Sequence, residues 1–312
     1  PAGEQARARR RANRAAGVVL REAHPLRRKL IDVRRVDGGM PEATDVTIAK
    51  IVGENDDDVG RTCGAGWSGL RSMTSTSGPG LSLMTEFAGL AYYAEVPVVI
   101  WDVQRIGPST GLPTRTSQGD LTFTNFMGHG DTHAVILLPG DVNECFEFGW
   151  RAFDIAEQLQ TPVFVLSDLD MGMNNYMVDP LKLNGKPLDR GKVLDAEALE
   201  KVEEFARYRD VDGDGIPYRT VPGTPHPKAA FFTRGTGHTD RATYSEKAED
   251  WQSNMDRLTR KFETARTVTP QPIVEVGDPR ILGTRFQDRQ LVHPPLLARA
   301  IDQAKRQPPN SH

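Results

Sequence analysis

The chain has 312 residues, enough for one large domain or two ordinary ones, and its apolar share of 38% together with 29 glycines suits a packed core, which excludes a wholly disordered chain. Formal charge is −3, from 39 basic and 42 acidic residues, so no global basic field recruits nucleic acid. No apolar run approaches the roughly 18 residues of a membrane span, and two cysteines, Cys63 and Cys145, cannot make a disulfide framework or hold a four-cysteine cluster. A reducing cytoplasm is the economical expectation.

The charge is unevenly spread. Residues 1–40 carry ten arginines and Lys29 against four acids, a net of +7. Residues 1–45 therefore read as a basic segment, and a solvated terminus is preferred to a nucleic-acid arm. The apolar patch at 15–20 is too short for a signal-peptide core.

From residue 64 onward the pattern becomes regular. Residues 71–77 are short and rich in Thr and Ser, as in a strand, and Ser77-Gly78-Pro79-Gly80 stops them. Leu83, Met84, Phe87, Leu90 and Ala91 recur at helical spacing over 81–94. Residues 97–103 form a near-continuous apolar run, the mark of a strand covered on both faces. A Gly/Pro/Ser/Thr loop over 104–119 follows, then a second buried strand at 134–138. Asp141 is a candidate N-cap for a helix over 142–160, and Thr161-Pro162 leads into a third strand at 163–166. Helices are expected over 190–209 and 244–267. This alternation predicts an α/β fold, a parallel sheet covered by helices on both faces, within a domain at 46–278 whose part 178–278 is a loop-rich extension; 279–312 is a tail. In such sheets the chemistry lies beyond the carboxyl ends of the strands.

Several motifs admit a bland reading. Gly64-Ala65-Gly66-Trp67-Ser68-Gly69 has dinucleotide-fingerprint spacing, but residues 54–63 before it are acidic and turn-like, so helix–strand packing is preferred. Asp210-Val211-Asp212-Gly213-Asp214-Gly215 begins like a calcium loop, yet the twelfth position is Val221; an Asx turn fits better. His129-Gly130-Asp131-Thr132-His133 lacks a third ligand nearby, and no metal site is assigned. Ser77–Gly80, as the mouth of a helix, is a candidate anion site. The loop that begins Gln104-Arg105 and continues Gly107-Pro108-Ser109-Thr110-Gly111-Leu112-Pro113-Thr114 is more telling, because an arginine at a strand's carboxyl end can grip a carboxylate.

Gly64–Gly69, Met73-Thr74-Ser75-Thr76-Ser77-Gly78-Pro79-Gly80, Asp102-Val103-Gln104-Arg105 with its Gly107–Thr114 continuation, Ser117-Gln118-Gly119-Asp120-Leu121 and His129-Gly130-Asp131 occur in this order. Together they resemble the alpha subunit of 2-oxoacid:ferredoxin oxidoreductases, the 2-oxoglutarate type in particular. The resemblance implies a thiamine-diphosphate-binding fold, the pyrimidine-type domain, with atypical ends. It implies an oxidoreductase that converts a 2-oxoacid and coenzyme A to acyl-CoA and CO₂ and passes electrons to ferredoxin. A beta subunit would share the thiamine diphosphate and carry Mg²⁺ and an iron–sulfur cluster. Carried onto this sequence, Arg105, Ser109 and Thr110 would bind substrate; Thr74, Thr76, Ser77, Gly78, His129 and Asp131 would lie at the cofactor. The family's catalytic glutamate falls on Asn55, beside Glu54, which becomes the candidate acid. The helix expected after it is replaced by Asp56-Asp57-Asp58-Val59-Gly60, a poor helix, and the upstream Tyr-Pro-x-Thr-Pro motif is absent. An inactive or truncated homologue that only binds a beta-type partner is the alternative; a nucleotide-binding dehydrogenase and a nucleic-acid binder rank below it.

Overall fold

The computed structural model describes residues 56–183, 185–274 and 286–287; the basic segment 1–45, Glu54 and most of the 279–312 tail lie outside the described residues. The order is α1 (Asp56–Trp67), β1 (Met73–Thr76), α2 (Gly78–Ala94), β2 (Val98–Gln104), α3 (Leu121–Phe126), β3 (Val135–Leu137), α4 (Val142–Leu159), β4 (Pro162–Asp168), α5 (Leu169–Met173), α6 (Ala196–Glu200), α7 (Ala248–Val268) and the antiparallel pair β5 (Ile273–Val274) and β6 (Phe286–Gln287).

The first four strands form one parallel sheet in the order β1-β2-β4-β3. Successive side chains on a strand point to opposite faces, and the two faces are covered by different helices. Val99, Val163, Val165, Val135 and Leu137 pack with Phe148, Ile155 and Leu159 of α4 and Phe262 of α7. Ile100, Phe164, Leu166 and Ile136 face Leu81, Met84 and Ala88 of α2 and Val59 and Cys63 of α1. The expected α/β architecture with both faces covered is the one observed.

Local chemistry explains the starts and stops. Asp141 caps α4 by accepting the Glu144 N–H, as its position suggests. Pro79 stands in the first turn of α2, where its missing N–H leaves no bond unmade. Glycine at 66 is required by contact: a Cβ there would overlap the Pro97 carbonyl oxygen, so α1 sits directly on the approach to β2. The packing reading of the glycine run holds at this residue.

Two expectations fail. Residues 56–60 are not a helix break but the first turns of α1, because Val59 and Cys63 bury against α2 and burial outweighs weak propensity. The helix expected over 190–209 shrinks to α6. Gly191 takes φ 62° with its backbone against Glu157, Lys192 is drawn to Asp212 and Asp214, and Arg207 is buried over the Tyr208 ring. These long-range contacts need an irregular chain. The expected helix over 244–267 is present as α7.

α7 is locked to the α2–β2 junction by a buried ion cluster. Glu95 follows α2 with φ 56° and is 1% exposed. Its carboxylate pairs with Arg257 at 2.6 Å and with Lys261 at 2.9 Å, and its carbonyl accepts from Arg207. Burial would raise the Glu95 pKa, but the two cations outweigh it and hold the carboxyl down at about 2. Burial pushes the Lys261 ammonium down to about 8 against the pull of Glu95.

Replacing Arg257 with Met should cost about 3–5 kcal/mol in denaturant unfolding, since it strands part of the Glu95 charge. The Glu95 contribution is complete above its ordinary pKa of 4.5 and is lost as pH falls towards about 2, so wild type should lose stability across that window and Glu95→Gln should not. Gly66→Ala should destabilise by about 1–3 kcal/mol in the same assay.

Candidate functional site at the carboxyl edge of the sheet

Because β1, β2 and β4 run parallel, their carboxyl ends share one edge. Thr76 lies opposite Asp102, and Gln104 opposite Asp168. Strand alternation puts Thr74, Thr76, Asp102, Gln104 and Asp168 on the face covered by α1 and α2.

Arg105 leaves the end of β2 and donates Nε–H to the Ser77 hydroxyl at 3.1 Å. Its other nitrogens have only long contacts, 3.4 Å each, to the carbonyls of Ile106 and Thr110. Ser109 turns its hydroxyl into its own loop, accepting the Gly111 N–H. Gln104, expected in the loop, is the buried last residue of β2, and the irregular loop that follows over 105–119 is largely exposed. Its far end returns to the edge: Gln118 donates to Asp168 at 2.7 Å, and the Asp120 N–H donates to the Gln104 side chain at 3.1 Å.

Asp120 occupies the mouth of α2. Its carboxylate rests where a Cβ on residue 78 would be, which requires glycine there, and it accepts the Gly78 N–H. The 17-residue helix thus meets a negative charge at its positive end. The sequence marks Ser77–Gly80 as a candidate anion site; within this chain the anion is Asp120. The partner of Asp120 is Asp102, fully buried in β2. Burial first, then the charge of Asp120 and the hydrogen bond to it, push the Asp102 carboxyl up to about 8. Burial also raises Asp120, opposed by the hydrogen bond from Asp102 and by the Arg105 charge. Sequence reasoning assigns neither aspartate a role. The available signal is an acid inside a run of residues buried on both faces, at 98–104.

The sequence candidates therefore divide. Thr76, Ser77, Gly78 and Arg105 converge at the edge, with the Thr110 carbonyl beside Arg105 and Ser109 next to it in the loop, while Thr74, opposite Ile100, is buried two residues inside β1. The Thr74 hydroxyl is buried and has no hydrogen-bond partner among the described residues. His129 and Asp131 are exposed on the segment that enters the amino end of β3, at the opposite edge of the sheet from Arg105. α3 carries the chain from one edge to the other between Asp120 and His129.

No group of three metal-ligating side chains occurs among the described residues. Asp210 accepts the N–H groups of Gly213 and Gly215 while Asp212 and Asp214 bind Lys192, which makes the acidic loop an Asx turn. The thiols of Cys63 and Cys145 are pushed up, chiefly by burial, to about 12 and about 11.

Residues 58–221, more than half of the chain, match the family described as pyruvate flavodoxin/ferredoxin oxidoreductase, thiamine diphosphate-binding. The alpha subunit of 2-oxoacid:ferredoxin oxidoreductase 1 of Sulfurisphaera tokodaii is 37% identical over 211 residues, 67% of this chain and 32% of that protein. The 2-oxoglutarate oxidoreductase subunit KorA of Mycobacterium tuberculosis is 44% identical over 229 residues, 72% of this chain and 33% of that one. The solved 2-oxoglutarate:ferredoxin oxidoreductase from Magnetococcus marinus, with 2-oxoglutarate, coenzyme A and succinyl-CoA bound, aligns with TM-score 0.66 and 30% identity, over 72% of this chain and 38% of that one. The chain spans about a third of the length of these relatives. It belongs to the thiamine-diphosphate-binding family of pyruvate flavodoxin/ferredoxin oxidoreductases.

Proposed function

We propose that the chain is the cofactor-ring-holding part of the alpha subunit of a 2-oxoacid:ferredoxin oxidoreductase that acts on 2-oxoglutarate. The observation that carries this reading is Arg105: a guanidinium at a strand's carboxyl end, fixed through Nε to Ser77, with its remaining donors on 3.4 Å contacts that a substrate carboxylate would replace with shorter, charge-assisted ones. Relatives named for 2-oxoglutarate support the choice of acid, among them the KorA subunit of Methanothermobacter marburgensis, 50% identical over 114 residues.

The hydroxyls of Thr76 and Ser77 and the backbone at Gly78 would hold a heteroaromatic ring at this edge, with the buried, unpartnered Thr74 hydroxyl behind them in β1. Thiamine diphosphate would supply the carbanion chemistry and electron sink that no side chain here provides. The chain's own work is then positioning. Arg105 binds the substrate carboxylate, Ser77 aims Arg105, and Ser109 and Thr110 line the same pocket. Glu54 is proposed as the acid at the cofactor ring. His129 and Asp131, at the opposite edge, would meet cofactor only through surfaces completed by another subunit. Two cysteines with raised thiol pKa values cannot hold a cluster, so electrons need an iron–sulfur centre on a beta subunit, which would also hold Mg²⁺ and the diphosphate before ferredoxin is reduced. None of the helices among the described residues is long and apolar enough to cross a membrane, and a cytoplasmic setting is proposed.

With a beta-type partner, thiamine diphosphate and Mg²⁺, the chain should catalyse coenzyme A-dependent oxidation of 2-oxoglutarate with reduction of ferredoxin. Arg105→Ala should lower kcat/KM about 10- to 100-fold, the worth of a charge-assisted contact. Unchanged kinetics would remove Arg105 from the site.

A further inference from the structure

Asp102 is out of place by ordinary rules. β2 is sandwiched and the Asp102 side chain is fully buried, with Thr76 on β1 and Leu166 on β4 as its ladder neighbours. No described residue donates to its carboxyl oxygens, and the group that faces it is the carboxyl of Asp120. Two carboxyls that share a site cannot both ionise cheaply. Asp120 is the better seat for the charge, because the Gly78 amide and the amino end of α2 point at it and Arg105 is near.

We propose that Asp102 and Asp120 work as one acid pair carrying a single proton, held by Asp102 and donated to Asp120, and that the charge of this pair sets how strongly Arg105 takes an anionic substrate. Its second half rests on the function proposed above. Both residues are positioning residues. Asp120 also pins the returning loop, through its N–H on Gln104, while Arg105 is aimed by Ser77 at the same helix mouth.

The charged groups on the surrounding elements leave this arrangement intact. Arg105 follows the last residue of β2, and Asp168 ends β4 with its oxygens taken by Gln118 and the Met171 N–H. α1 brings Asp58, ion-paired with Arg61. β1 and α3 bring no titratable side chain, and Glu86 of α2 is exposed two turns beyond the helix mouth. The sign follows from the raised pKa. Below about 8 the pair carries one negative charge; above it, two, and the second opposes an anion at Arg105. The folded chain keeps a proton that the unfolded chain loses near the ordinary value of 3.8. The pair's contribution to stability is therefore full below 3.8 and drains away as pH climbs towards about 8.

Infrared difference spectroscopy on the intact chain tests the pair directly. A protonated-carboxyl band should be present at about pH 6, vanish by about pH 10 and be missing in Asp102→Asn, whose amide can donate to Asp120 in place of the proton. No band, or a band that survives in Asp102→Asn, overturns the pair whatever the chain catalyses. In the complex with the beta-type partner, KM for 2-oxoglutarate should rise about three- to tenfold between about pH 7 and about pH 9 in wild type and stay flat in Asp102→Asn, while Asp102→Val, with no donor, should have a raised KM throughout. Identical pH profiles in wild type and Asp102→Asn overturn the coupling to Arg105. A complex without turnover but with the band intact sustains the acid pair and faults the functional reading instead.

Discussion

The architecture depends on one buried carboxylate. Glu95 sits where α2 gives way to β2, in a left-handed backbone conformation, and draws Arg257, Lys261 and Arg207 from later parts of the chain onto one point. A charge this deep is tolerable only because two cations meet it at hydrogen-bonding distance. In return, the irregular stretch between α5 and α7 is tied to the sheet at its amino edge. The carboxyl edge is thereby left to short turns and a long loop.

That division of labour matters for chemistry. At the amino edge, charge is paired and buried. At the carboxyl edge, two carboxyls lie beside an arginine and several hydroxyls, and one buried hydroxyl has no partner among the described residues. Structural ion pairs also shift pKa values, as Glu95 does, so a shifted value alone marks nothing. What separates the two places is direction: two cations hold the Glu95 carboxyl down, whereas burial and another acid push the Asp102 carboxyl up.

Much of this is legible in the sequence, for identifiable reasons. The strands at 98–104 and 162–168 show as near-continuous apolar runs over 97–103 and 163–166, and Asp141 is an N-cap with an open helix after it. Arg105 stands out because its strand ends immediately before it. The misses share a cause, since both depend on contacts distant in sequence. α1 forms because Val59 and Cys63 find α2, and the 190–209 segment unwinds because Lys192 finds Asp212 and Asp214. Asp120 is invisible as a helix-end anion because a whole helix, a strand and the long loop separate it from Gly78, and nothing local signals that the loop returns. His129 and Asp131 match a motif, but motif order carries no information about which edge a loop reaches.

The sheet's margins carry one more consequence. Among the described residues its outer strands, β1 and β3, have four and three residues, while the two inner strands have seven each. A foreign strand laid along either flank would gain only a few main-chain bonds before running out of template. Over the described residues, the flanks of the sheet thus offer little template for cross-chain pairing, a safeguard against aggregation carried by element length.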